Sequence, residues 1–278
     1  MSSQALLDLE WVLTSPSLVH DPLAAGPVEF ESSAVDVSHL EAFLAERSEH
    51  RVGRYFEHLL HYWLAHVRNV DLVEVGMQVI DEGRRTLGEI DFLFRDEEGQ
   101  LTHCEAAVKF FLHHPNDHSS HFPGPAARDN FERKATRLFD TQLYLSAEHV
   151  PDVTKRVGFV RGRIFQHVDE GLPDVLPPRM AADCLGGVWV REAMLDSLMP
   201  LDDLGFHFVP KPHWFAPVAD AQILTRSEFT SSIGDHFDGP AYPAMVSLRD
   251  ASGAEVHRCF VVPNNWPDET PKLAAEPS

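Results

Sequence analysis

The sequence predicts an α/β protein: a core running helix, three strands, helix, strand, followed by a smaller mixed α+β extension. Three observations carry this. Residues 54–64 place Tyr55, Phe56, Leu59, Leu60, Trp63 and Leu64 on one broad apolar face at helical spacing. Three strand-like runs follow: 72–80 (LVEVGMQVI), 89–95 (EIDFLFR) and 101–112 (LTHCEAAVKFFL). DEGRRTLG and the strong turn signal DEEG separate them. A second amphipathic stretch, 126–146, carries Phe131, Ala135, Leu138, Phe139 and Leu143 on one side, and VGFVRGRIF at 157–165 reads as the last core strand.

The remaining elements fall into order around this core. Residues 1–37 form an N-terminal extension, with a short helix at about 4–12 and a loop containing Pro16, Pro22 and Pro27. The core spans 38–166. Its first part, 38–67, is one helix or two abutting ones, with Ser38 able to cap the start and Gly53 able to divide the halves. Residues 113–125 form a polar loop. Residues 167–278 are the C-terminal α+β extension. It opens on a Pro-rich connection (167–182), then gives short strands at 188–191, 205–209, 243–248 and 256–262 and a helix near 191–199.

At 278 residues, 44% hydrophobic and 24% charged, the chain has ample apolar side chain for a core. It contains no run of about 18 apolar residues, and its start lacks the basic and apolar stretches of a secretory signal. The three cysteines, Cys104, Cys184 and Cys259, lie far apart, which argues against a disulfide framework or a Cys-rich zinc site. The expectation is a cytoplasmic protein with no membrane partner. Net charge is −20, unfavourable for a polyanion ligand, yet it is unevenly spread. Residues 50–166 hold 15 Lys+Arg against 17 Asp+Glu, whereas the rest of the chain holds 8 against 26. The acidic flanks are either solvated surface or a screen around the core.

The core also carries the candidate chemistry. Hydrolysing a phosphodiester near neutral pH calls for a divalent ion to stabilise developing charge, and Mg²⁺ takes one or two carboxylates plus water and phosphate. A lysine beside such an ion can hold the attacking water. Asp91 lies in the apolar strand GEIDFLF, and Glu105 and Lys109 lie in the next strand, CEAAVKFFL. Alternation puts Glu105, Ala107 and Lys109 on one face and Ala106, Val108 and Phe110 on the other. Charged groups in so apolar a strand are costly unless paired or liganded, so these residues are either a Glu–Lys pair at the sheet edge or a reaction centre. Glu57, in GRYFEHLLHYWL, either pairs with Arg54 one turn earlier or points to the sheet and supports an ion.

The order of elements, with GRYFE, GEIDFL and EAAVK in sequence, resembles the PD-(D/E)XK nuclease superfamily. More narrowly the chain is similar to an uncharacterised bacterial family catalogued as domain of unknown function 1853, over most of its length, including RDNFERKATRLFDTQL and FVVPNNWP. The superfamily resemblance implies that Glu57, Asp91, Glu105 and Lys109 are the catalytic set, with Asp91, Glu105 and Glu57 holding Mg²⁺ or Mn²⁺. One departure stands out: the superfamily's acid two residues before the lysine is here Ala107. The acid at Glu105 keeps the face but sits about 6.6 Å further along the strand.

Secondary candidates surround this set. Lys134 and Gln142, in the 126–146 helix, are nominated for phosphate contact, against the plainer reading of solvated helix charge. Arg161 and Arg163 alternate on one face of the last core strand, where they meet phosphate or rim the sheet. The loop histidines His113, His114, His118 and His121, with Asp117, lack a defined zinc scaffold. Trp214 and Trp266, beside prolines, either stack on bases or plug a core. No phosphate-loop or nucleophile-elbow motif is present. The leading expectation is a metal-dependent nuclease-like protein acting on nucleic acid, DNA before RNA. The competing one is a catalytically inactive nuclease fold serving as a binding or interaction module.

Overall fold

The structure is a computed structural model that describes residues 3–68, 70–115, 120–198, 204–239 and 242–268. Three helices lead in: α1 (Gln4–Thr14), α2 (Val37–Ala45) and α3 (Val52–Tyr62), the last running on into a π-helical turn to Val67. Asp36 starts α2 by accepting a hydrogen bond from His39 N. Strands β1 (Asp71–Ile80), β2 (Thr86–Arg95) and β3 (Leu101–Leu112) then pair as consecutive antiparallel hairpins, as the three apolar runs and their turns predict. DEEG makes the second turn. Asp96 Oδ1 accepts from Glu98 N and Gln100 N, and Gly99 supplies the left-handed φ of 77°.

A two-stranded ribbon, β4 (His114–Pro115) and β5 (Ser120–His121), leads to α4 (Phe131–Asp140), α5 (Leu145–His149) and β6 (Lys155–His167). The C-terminal half adds β7 (Leu185–Arg191), β8 (Gly205–Phe208), α6 (Arg226–Phe237), β9 (Ala244–Arg249) and β10 (Glu255–Val262). All but the small ribbon join one eight-stranded mixed sheet, ordered β1-β2-β3-β6-β7-β10-β9-β8. Strands β3, β6, β7 and β10 run parallel to their neighbours in this row, and the outer pairs are antiparallel.

Helices cover both faces. Phe56, Leu59 and Leu60 of α3 and Trp63 of the turn that follows it, with α1, pack on Phe92, Phe94, Cys104, Ala106 and Val108. On the other face Phe131, Ala135, Leu138 and Phe139 of α4 pack on Phe111, Val160 and Ile164. Each such Leu or Phe contributes about 1.5–3 kcal/mol of burial. Because β3 alternates between these layers, His103, Glu105, Ala107 and Lys109 face the α4 side. The approach of β6 to β3 is unusually close at Gly162 (φ 156°), where a Cβ would overlap the Lys109 carbonyl oxygen.

Three elements differ from expectation. The helix expected over 126–146 begins only at Phe131, where Asn130 caps it by accepting from Arg133 N, and breaks at Thr141 (φ −132°) into a 3₁₀ turn and α5. The helix near 191–199 is a 3₁₀ helix, Glu192–Leu198. Helix α6 was not expected at all; a capping box, Thr225 with Glu228, starts it, and Phe229 and Ile233 are its buried residues. Among the described residues no helix is long and apolar enough to cross a membrane.

Candidate active site

The site forms where β2 and β3 part. Their ladder runs from Arg95↔Leu101 to Phe92↔Cys104, and beyond it the N–H of Ala106 is taken not by a backbone carbonyl but by Asp91 Oδ2, at 2.8 Å. A buried N–H must find an acceptor, and the carboxylate supplies it. Glu105, 2% exposed, in turn accepts from the Asp91 backbone N–H. The two acids are thus cross-braced on adjoining strands.

Glu105 is the most heavily tethered of the set. His103 Nε2 lies 2.7 Å from Oε1 and Gln142 Nε2 donates to Oε2 at 3.3 Å. Behind the imidazole, His103 Nδ1 meets Ser146 Oγ at 2.9 Å, and Arg156 Nε donates to the same hydroxyl at 3.0 Å. Burial, and then Arg156, push His103 down to about 4, so the ring is neutral. Ser146 Oγ also lies 3.5 Å from the Leu143 carbonyl, so the hydroxyl joins Arg156, His103 and Leu143 behind the acid.

Burial pushes both Asp91 and Glu105 well above the ordinary carboxylate range. Glu105 raises Asp91 further, and the charges of Glu57 and Glu89 raise both. Glu57 is also raised by burial, against the opposing pull of Arg54, which pairs with it at 2.7 Å. Glu57 thus pairs with Arg54 and lines the same cleft as the acids. Lys109 is lowered by burial and by Lys134, and it makes no ion pair or hydrogen bond among the described residues. One cleft of about 260 Å³ is lined by Glu57, Asp91, Glu105, Lys109, Lys134 and Gln142, with Ala107 in its wall.

The structure thus brings together Glu57, Asp91, Glu105 and Lys109 and sets Lys134 and Gln142 beside them. Each of the last two already has a partner: Lys134 pairs with Asp129 at 3.2 Å, and Gln142 holds Glu105. Arg161 and Arg163 are not brought to the cleft. Val160 lines it, and the next residue, Arg161, points to the other side of the sheet, fully buried. There its guanidinium donates to the carbonyls of Val12, Ala25 and Gly26 and lies over the Phe159 ring. Arg163 donates to Gly186 O. The expectation that these two arginines join the phosphate path of the acid cleft is corrected accordingly: the Arg161 donors serve the fold, and Arg163 lines a separate cleft with Gly186 and Glu255.

Asp117 and His118 lie outside the described residues. The His114 and His121 rings meet at a tilt, centres 5.1 Å apart, across the β4–β5 ribbon, and His113 Nδ1 meets Gly171 O at 2.8 Å. Trp214 and Trp266 are buried, their indole N–H groups bonded to Val209 O and Pro125 O, and so belong to the core. His103, Ser146, Arg156 and Glu89 surround the acids without having been expected there. The signal for His103 was present, since it stands two residues before Glu105 on the same strand face.

The two buried acids are oxygen donors of the kind Mg²⁺ or Mn²⁺ accepts, and the cleft has room for an ion with waters. Among the described residues no three His, Cys, Asp or Glu side chains gather to hold an ion by themselves. Water and substrate oxygens would complete the shell, as is usual for Mg²⁺. Neither the curated proteins nor the solved structures contain a match to this chain. A family model does match, over residues 7–262, and the chain belongs to the family it describes, domain of unknown function DUF1853.

Proposed function

We propose that this chain is a metal-dependent, nuclease-like hydrolase of phosphodiester bonds, acting on DNA through a PD-(D/E)XK-type core. One observation carries the reading: two buried carboxyls with raised pKa values share a cleft with a lysine that has no ion-pair partner among the described residues. Such a cluster is costly when ionised and empty, and a divalent cation relieves that cost. Asp91 and Glu105 would hold Mg²⁺ or Mn²⁺, with Glu57 in support. The ion, when bound, supplies charge stabilisation at the phosphoryl oxygens and a more acidic water. Lys109 orients the attacking water and adds positive charge at the phosphate. Lys134 and Arg137, on the rim, hold the phosphodiester, and Gln142 and His103 fix the Glu105 carboxylate.

A second reading, an inactive nuclease fold used as an interaction module, is favoured by Ala107 at the superfamily's usual acid position. The test separates the two. Incubating DNA with the protein and Mg²⁺ or Mn²⁺ should give cleavage that EDTA stops and Asp91→Asn abolishes. Retained DNA binding with no cleavage at any metal concentration would select the module.

A further inference from the structure

Asp91 stands in a wall between two clefts. One is the cleft of Lys109. The other, about 250 Å³, shares Glu57 and Asp91 with it and is lined on its far side by Arg47, Arg54, His58 and His61. Arg47 stands just beyond the end of α2, and the other three belong to α3. Arg54 is engaged by Glu57 at 2.7 Å and by Glu89 at 3.8 Å, which offsets the acids of this cleft. Arg47 lies over the Phe43 ring, 3.8 Å to its centre. It uses one amino group on Phe43 O and on Glu46, and its side chain remains 34% exposed. His58 and His61, one helical turn apart, have no hydrogen-bond partner among the described residues; His61 is placed by edge contacts with Phe43 and Phe92.

Donor groups therefore flank the carboxylate wall on both sides, Lys134 and Arg137 on one and Arg47, His58 and His61 on the other. A phosphomonoester or a strand end approached from one side needs donors only there. A polynucleotide bound through phosphates on both sides of the scissile one needs them on both. We infer that the second cleft binds backbone phosphates flanking the reacting one, so that the substrate is the interior of a DNA strand and cleavage is endonucleolytic. This inference rests on the nuclease reading above. The step is a plain hydrolysis: the water oxygen bonds to phosphorus, one ester P–O bond breaks, and the water's proton ends on the departing oxygen.

Covalently closed circular single-stranded DNA and the same DNA linearised would be incubated with the full chain and Mn²⁺. Opening of the circle, at a rate within about threefold of internal cutting in the linear form, is the expected result. Shortening of the linear form from its ends with the circle intact overturns the inference and leaves the hydrolase reading standing. No cleavage of either form overturns both. The double variant Arg47→Ala/His61→Ala refines the assignment against bis(p-nitrophenyl) phosphate, a small diester that fits the first cleft alone. Circle opening should fall about tenfold more than hydrolysis of the small ester, the loss expected for one charged phosphate contact. Equal losses would mark the pair as structural and remove the second cleft from the substrate path.

Discussion

His103 Nε2 lies 2.7 Å from Glu105 Oε1, with the imidazole fully buried and the carboxylate nearly so. The contact is the last link of a chain that runs from Arg156 through Ser146 and His103 to Glu105. With Gln142 and the Asp91 backbone N–H, it fixes the rotamer of a carboxylate buried in an apolar strand.

His103 is accordingly a positioning residue. His103→Ala should weaken Mn²⁺ binding about 10–100-fold, the range for partners that orient a metal ligand. His103→Gln, which keeps an N–H donor, should recover part of the loss. Calorimetric titration with Mn²⁺ reads both, and equal, unaltered affinity in the two variants would show that the contact only fills space.

The raised carboxyls make stability depend on pH. Their folded pKa values lie above the unfolded ones, near 4, so folding takes up protons in the window between. Their contribution is full below pH ~4 and is lost as pH rises through the raised values, by up to about 1.4 kcal/mol per pH unit for one proton. Urea melts in EDTA between pH 5 and 8 should show wild type losing stability relative to Asp91→Asn as pH rises. A difference profile that is flat, or that slopes the other way, would contradict a buried acid pair.

Lys109 and Asp91 should fail differently. Lys109→Met should lower cleavage about 10²–10⁴-fold, the usual span for a lost proton-transfer group, with Mn²⁺ affinity nearly unchanged. Asp91→Asn should weaken Mn²⁺ affinity at least about tenfold, since a neutral amide is a poor ligand for a hard dication. Parallel rate and binding measurements on both variants decide the matter; a large loss of Mn²⁺ binding in Lys109→Met would be inconsistent with its proposed task.

Arg161 should matter to the fold and not to DNA. Arg161→Met would leave the carbonyls of Val12, Ala25 and Gly26 without donors, and should cost about 3 kcal/mol. The salt dependence of DNA binding, whose slope counts phosphate contacts, should stay the same. A shallower slope in this variant would return Arg161 to the phosphate path.

The local part of this architecture was legible in sequence and the non-local part was not. Period-two patterning and DEEG located β1, β2 and β3, and alternation along β3 placed Glu105 with Lys109. The same alternation told that Arg161 and Arg163 share a face without telling which face. That depends on β6 pairing parallel to β3 across more than forty intervening residues. Helix α6 was missed because only Phe229 and Ile233 mark its buried side, although Thr225 and Glu228 spelled its cap. The tether on Glu105 reaches from Ser146 and Arg156, and no spacing rule links those positions to residue 103.

Strand β6 has β3 on one side and β7 on the other. An expression fragment stopped at 166, the natural place to cut if only the acids and lysine were wanted, would strip β7 away. It would leave the C-terminal stretch of β6, Arg163 to Gln166, without the partners Leu185 to Val188 that it has in the sheet. Such an edge templates strand addition by another copy, so that fragment would be expected in inclusion bodies, and its silence in an assay would say nothing about the catalytic residues.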